Sequence, residues 1–394
     1  MTDCPIYLNN MSMTNALGKE HDEVLQKLIS GDTSGMKPYV TELNNKTFIA
    51  GQVSSKLPLI PKHLQHHQTR NNQLILSCLL SLESALDSLL EHHPKHRIGV
   101  VMGTSTSGIA EGEQALAQYL DNQAFPDSFD YSQIQMSSPA EFIADYLGIK
   151  GPAYAISTAC SSSGKVFASA RSLIENNVCD AVIVGGADSL CDMTLNGFNS
   201  LEAISDELSN PFSPHRKGIN IGEGAAVFIM SRQPSAVQLL GVGESSDAHH
   251  ISAPHPEGDG AARAMKQALL DANIDSQRVD YLNLHGTGTE LNDAMESKAV
   301  SSVLSNATYC SSTKPLTGHT LGAAGATELA LCWLLLEYQS KKLPKHVFDG
   351  VLDTELPALR LVDDNQTINN VTIAMSNSFA FGGNNVSVII GRSE

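Results

Sequence analysis

"STACSSSGKVFASARSLIENN", residues 157–177, decides the fold. Within it Val166, Phe167, Ala170, Leu173 and Ile174 recur at helical spacing, so its second part is a helix with one apolar face. On either side lie short apolar runs ended by glycine, RIGVVMG (97–103) and DAVIVGGAD (180–188), which read as buried strands. Strand, helix, strand is the rhythm of an α/β sheet. It returns beyond about residue 238: Ala264, Ala268 and Leu269 suit a helix, VDYLNLHG (279–286) a strand and ATELALCWLLLEY (326–338) a strongly apolar helix. Two similarly built α/β halves are therefore expected, residues 1–237 and 238–394, joined in one compact unit. NPFSPHRKG (210–218) reads as a loop rather than a domain linker.

A chain of 394 residues, 42% hydrophobic with 30 glycines, is long enough for a core in each half. Its net charge of -17, from 25 Lys and Arg against 42 Asp and Glu, is wrong for wrapping nucleic acid. The start, MTDCPIYLNN, has no basic stretch leading into an apolar one, and the most apolar run, LALCWLLLEY (329–338), is too short to span a bilayer. No targeting or membrane segment is expected. Seven cysteines, Cys4, Cys78, Cys160, Cys179, Cys191, Cys310 and Cys332, form neither a CxxC pair nor a disulfide-like framework, which suits a reducing cytoplasm. Lys62 and Arg70, with His66 and His67 between them, are the candidate basic patch for an acidic partner, a solvated surface helix being the plainer reading. The His-rich EHHPKHR (91–97) offers no set of metal ligands and reads as a loop, and no metal is expected.

The serines and glycine after Cys160 are poor in a helix interior but good in a first turn, where unpaired N–H groups and the positive dipole end favour a thiolate. Cys179, Cys191 and Cys332, in apolar surroundings, read as core residues. Three further segments single out Cys160. NLHGTGTELND (283–293) puts His285 at the end of an apolar strand; SSTKPLTGHTLGAAGATE (311–328) puts Lys314 and His319 in a Gly-rich turn before a helix; NSFAFGGNN (377–385) sets Phe379 and Phe381 beside Gly382 and Gly383. A thiol, two imidazoles and a lysine on element ends amount to the inventory of an active site.

The segments STACSSS, NPFSPHRKGINIGEGAA, HGTGTELND, KPLTGHTLGAAGATE and NSFAFGGNN, in this order, resemble the β-ketoacyl-acyl carrier protein synthases of the thiolase superfamily. The likeness is to the elongating Cys-His-His enzymes of type II fatty acid and polyketide synthesis, and it runs from NALG (15–18) to NVSVIIG (385–391). It implies a five-layered αβαβα sandwich of two fused repeats. It also implies a homodimer, or a heterodimer with a chain-length-factor-like subunit, formed through strands near the nucleophile. The implied reaction is decarboxylative Claisen condensation of an acyl thioester with malonyl-acyl carrier protein, giving 3-oxoacyl-acyl carrier protein and carbon dioxide.

By the same resemblance, Cys160 is the nucleophile that takes the acyl chain, with the backbone N–H groups of Cys160 and Phe381 as oxyanion donors. His285 and His319 hold the malonyl thioester and stabilise its enolate. Lys314 orients them, paired with Glu328 or Glu296. Thr287 and Thr289 contact the phosphopantetheine arm, and Phe379, Gly382 and Gly383 line the substrate site. Phe381 is the gate to the acyl pocket, with Asp247 and His250 on a second loop that moves with it. No dissociable cofactor is implied, since the arm arrives with the acyl carrier protein. Ala380 and Asn384 depart from the family's GFGGTN, which suggests a stiffer gate because alanine disfavours positive φ. The basic cluster that docks the carrier protein is thin, and the N-terminal half is somewhat short. Two other readings are a non-catalytic chain-length subunit, against which Cys160, His285 and His319 all speak, and a degradative thiolase, whose second cysteine NSFAFGG lacks. The altered gate points to a specialised synthase of aryl polyene or polyketide type.

Overall fold

Both alternating patterns feed one sheet in the computed structural model, which describes residues 5–363 and 366–393; Cys4 lies outside them. The first part of the chain runs β1 (Ile6–Thr14), α1 (His21–Ser30), the hairpin β2 (Met36–Val40) and β3 (Thr47–Gly51), α2 (Arg70–Ser81), α3 (Glu83–His92) and β4 (Ile98–Gly103). Then come α4 (Ile109–Asn122), α5 (Ser138–Leu147), β5 (Ala153–Ile156), α6 (Ser162–Glu175), β6 (Ala181–Asp188), α7 (Asp192–Ser200) and β7 (Gly224–Ser231). The remainder runs β8 (Val237–Ser246), α8 (Asp259–Ala272), β9 (Tyr281–Asn283), α9 (Glu290–Val303), β10 (Tyr309–Ser311), α10 (Lys314–Thr317) and α11 (Ala324–Glu337). It ends with β11 (Arg360–Leu361), β12 (Ile373–Ala380) and β13 (Asn384–Arg392).

The strand order is β11-β10-β9-β12-β13-β8-β1-β7-β6-β4-β5, with the β2-β3 hairpin apart. It contains the same five-strand unit twice. In β1-β7-β6-β4-β5 the first two pairings are antiparallel and the next two parallel. The unit β8-β13-β12-β9-β10 repeats that order and those directions. The units meet where Ile6 and Tyr7 pair with Leu239 and Gln238.

Alternation of side chains along the strands builds the layers. Val101 and Val184 point inward to a central core with Val166 and Phe167 of α6, Leu331 and Leu334 of α11, and Val386 and Val388 of β13. Their neighbours Val100 and Ile183 point outward, against Leu74 and Ile75 of α2 and Phe142 of α5. On the other side Leu282, Met375 and Ile389 pack against Met265 of α8 and Met295 of α9. Helix, sheet, helix, sheet, helix is the expected five-layered sandwich. Helix α11, apolar all round, is buried from Ala324 to Leu336, as the middle layer demands.

Helices α6 and α11 cross at a glycine pair. A Cβ on Gly325 would lie 2.5 Å from the backbone nitrogen of Gly164 and 2.9 Å from its Cα. Only glycine allows this approach, and it brings together the segments that precede the two helices. The loop expected over 91–97 is mostly helical instead: α3 runs to His92 because Leu86 and Leu89 keep a buried face, and Lys95–Arg97 form a 3₁₀ turn after Pro94. NPFSPHRKG is a loop. Among the described residues no single helix is long and apolar enough to cross a membrane.

Candidate active site

Strand β5 does not run straight into α6. Ala159 takes a positive φ of 53°, and the serines close the turn: Ser161 Oγ donates to the Thr158 carbonyl (2.8 Å), Ser162 Oγ to the Ala159 carbonyl (2.5 Å), and the Thr158 N–H donates to Ser162 Oγ (2.8 Å). Cys160 therefore sits on a tight elbow two residues ahead of the helix, not within its first turn.

The thiol meets groups from the second repeat. His319, on the stretch between β10 and α11, places Nε2 3.1 Å from Cys160 Sγ. His285, just beyond β9, stands edge-on to His319 with ring centroids 5.3 Å apart. The donor atoms of Cys160, His285 and His319 lie within 4.8 Å of one another, as do those of a second group, His66, His67 and Asp145. The backbone N–H groups of Phe381 and Cys160 both favour negative charge on the sulfur. Lys314 Nζ donates to Glu328 Oε1 (2.5 Å) and to the His285 carbonyl, and lies 3.4 Å from His285 Nδ1. An ammonium only donates, so His285 Nδ1 accepts and its proton sits on Nε2. Of the two expected partners of Lys314, Glu328 is the one bonded. Glu296 instead accepts the backbone N–H groups of His285 (2.8 Å) and Gly286 (2.7 Å), fixing the loop that carries the imidazole.

Burial dominates the electrostatics. It pushes the Cys160 thiol up to about 12, with Lys314 pulling the other way. It holds His285 and His319 well below the usual imidazole range, and the Lys314 charge lowers both further. Glu296 and Glu328 are each raised by burial to about 7. The expected resting thiolate is thus corrected to a thiol facing neutral imidazoles. Desolvation of the elbow outweighs the helix end, which is two residues away.

Cys160, His285 and His319 line a cleft of about 370 Å³ together with Thr287, Thr289 and Phe379. The Thr287 and Thr289 hydroxyls are 2.9 Å apart. Phe379 is buried, edge-on to His285 at 6.1 Å. Phe381 is 37% exposed and leans on Phe198 at 5.5 Å. The positive φ in this segment falls on Gly382 (80°) and Gly383 (72°), whereas Ala380 is extended at φ −106°. Alanine adopts that conformation freely, so the substitution alone does not stiffen this arrangement. Asn384 accepts from Lys165 Nζ (3.2 Å). The second loop is bonded to this segment: the Asp247 N–H donates to the Gly383 carbonyl (2.9 Å), Asp247 Oδ1 accepts from Asn385 (2.7 Å), and the Gly382 N–H donates to the Ile251 carbonyl (2.7 Å). His250 stays exposed and caps its own loop, Nδ1 accepting from the Ser252 and Ala253 N–H groups (each 3.2 Å).

The proposed basic patch is broken up. Arg70 is committed to Glu223, a carboxylate 1% exposed that needs a counter-charge, through bonds of 2.6 and 2.5 Å. His67 is buried on Asp145 at 3.0 Å, leaving Lys62 exposed. Sequence reading missed Asp188. This buried carboxylate accepts from the Thr104 and Thr106 hydroxyls and from the Ser105, Thr106 and Ala323 N–H groups, tying the end of β4 to the start of α11. An aspartate closing the apolar run VGGAD was the available signal.

Residues 6–236 match the family described as Beta-ketoacyl synthase, N-terminal domain, and residues 237–347 match Beta-ketoacyl synthase, C-terminal domain. The chain belongs to the β-ketoacyl synthase family. It is a condensing enzyme of the acyltransferase class, with the thiolase-like fold. This β-ketoacyl synthase is 30% identical to 3-oxoacyl-[acyl-carrier-protein] synthase 2 of Coxiella burnetii over 98% of each chain. It is 33% identical to the protein of the same description from Staphylococcus aureus over 76% of each. Among solved structures, the ketosynthase ApeO in complex with its chain length factor ApeC, from Xenorhabdus doucetiae, superposes with a TM-score of 0.95 at 46% identity, covering 99% of this chain and 98% of that one. The ishigamide ketosynthase/chain length factor superposes at 0.87 with 26% identity, over 99% of each.

Proposed function

We propose that this chain joins an acyl group to malonyl-acyl carrier protein in two half-reactions on Cys160. In the first, Sγ attacks the carbonyl of an acyl-carrier thioester while His319 Nε2 takes the thiol proton and returns it to the departing carrier sulfur. The oxyanion forms against the Cys160 and Phe381 N–H groups, which already favour negative charge on the sulfur. In the second, malonyl-carrier protein loses carbon dioxide, and the enolate oxygen lies against the imidazole N–H groups. His285 is set for this by Lys314, which fixes its proton on Nε2; His319 turns to the same oxygen once the sulfur is acylated. The carbanion attacks the acyl-Cys carbonyl, the Cys160 thiolate leaves, and one proton from solvent restores the thiol. The arm comes with the carrier protein as part of the substrate, and no dissociable cofactor is called for.

One observation carries this reading: a buried sulfur 3.1 Å from an imidazole, with a second imidazole beside it. C160A is expected to abolish transfer of radiolabel from acyl-carrier protein to the enzyme. C160Q, whose amide imitates the acyl thioester, keeps malonyl decarboxylation while condensation stops. Covalent labelling of C160A would remove the nucleophile.

The edge of the sheet supports a paired assembly. Strand β5 is its last strand, its four residues are half-buried, and it leads to the Cys160 elbow. We assign this edge to a second subunit. ApeO, similar along nearly all its length, is described in complex with its chain length factor, which favours that kind of partner and a specialised synthase. The six described cysteines are free, in keeping with a cytoplasmic protein.

A further inference from the structure

The cleft has a charged rim that the condensation chemistry does not use. Depth orders its lining: Cys160 and Thr287 are each 6% exposed, Thr289 is half-buried, and the Lys217 side chain is 58% exposed. Glu202, Glu290, Arg216 and Lys217 are the lining residues with full charges. Arg216 is a fixed cation, donating to Asp353 Oδ2 (2.6 Å) and the Ser213 carbonyl (2.7 Å), and its buried Nε–H has no partner among the described residues. Lys217 is different. Its Nζ lies 3.1 Å from Glu207 Oε2, with both side chains in water, a pairing that is weak and easily exchanged. The backbone stitches Lys217 to the wall that carries the two threonines: the Gly218 N–H donates to the Gly288 carbonyl (2.9 Å), and Ser209 Oγ is shared between the Gly218 (3.2 Å) and Thr287 (3.3 Å) carbonyls.

We propose that Lys217, backed by Arg216, is an anion clamp at the rim that receives the phosphate of the phosphopantetheine arm in exchange for Glu207. The inference rests on the reading that Cys160 accepts its acyl group from such an arm. The arm's thioester end must reach the cleft floor, and its single charged group, the phosphate, lies at the opposite end. It therefore arrives where Lys217 stands. Glu202, Glu290 and Glu207 would repel an anion there, so in this acidic chain the lysine decides whether the rim accepts one. The ammonium stays partly solvated and loses little on exchanging one oxygen anion for another. Lys217 is a specificity residue, remote from the reacting atoms.

The test compares two small substrates that differ only in the phosphate, acyl-4′-phosphopantetheine and acyl-pantetheine, by the KM for acylation of Cys160. The wild-type chain is expected to prefer the phosphorylated thioester by about three- to tenfold, the range of one charge-assisted contact in water. K217Q erases the preference, K217R restores it, and E207Q widens it by removing the competing carboxylate. An equal KM for the two thioesters in the wild type, or a preference that survives K217Q, overturns the clamp. So does an effect of K217Q seen with acyl-carrier protein and not with acyl-4′-phosphopantetheine, which would place Lys217 on the carrier's own surface. Absence of Cys160 acylation by either thioester would instead overturn the condensing reading.

Discussion

Burial holds the Cys160 thiol near 12 while the imidazoles facing it stay neutral, so the sulfur keeps its proton until a thioester is attacked. Below its own pKa a thiol gains thiolate about tenfold per pH unit. Alkylation of the substrate-free enzyme by iodoacetamide, followed by mass spectrometry at Cys160, should therefore climb throughout pH 6 to 9, about tenfold per unit. A plateau near pH 7 would mean a preformed thiolate and contradict this protonation state. At this scale the sequence identified which residues meet but not how they are charged. Cys160, His285 and His319 were legible because each sits on an element end beside glycine or serine, and Lys314 because it shares the Gly-rich turn of His319, patterns local to the chain. Protonation depends on desolvation by residues far away in sequence, and so does the choice of Glu328 over Glu296 as the partner of Lys314. Arg70 was misread for the same reason, since Glu223 lies 153 positions away.

The distance between Sγ and Nε2 is set by two helices rather than by either side chain. Gly164 lies four positions after Cys160 and Gly325 six after His319, and the helices touch at these glycines. The Cβ of Gly325→Ala would strike backbone, which no rotamer change relieves. It should lower unfolding free energy in urea by about 1–3 kcal/mol. By widening the crossing it should also slow condensation by as much as about 100-fold. Gly197 of α7, with open space where a Cβ would go, is the control: Gly197→Ala should stabilise by about 0.5–1 kcal/mol. Equal effects of the two substitutions would deny the crossing its role. Helices α6 and α8 were legible from apolar periodicity, and α11 with strands β4 and β6 from their continuous apolar runs. The continuation of α3 to His92 was not, since histidines and lysine masked a helix whose buried face is only Leu86 and Leu89.

The two five-strand units share one order and one set of strand directions, which relates them by an internal dyad between β1 and β8. The repeat was visible in sequence as a returning strand-helix rhythm; the shared strand order was not, because pairing is set by contacts hundreds of positions apart. At the far edge β5 leaves its outer side unpaired. Native mass spectrometry of the chain expressed with and without a chain-length-factor-type subunit should give a dimer, with the mixed pair displacing any self-pair. A monomer in both preparations would contradict that assignment. The Cys160 elbow between β5 and α6 and the His319 turn between β10 and α11 occupy corresponding places in the two repeats. Neither repeat holds both the Cys160 sulfur and the His319 imidazole that meets it. Carrying both repeats in one polypeptide makes their meeting permanent, where two separate chains would meet only by collision.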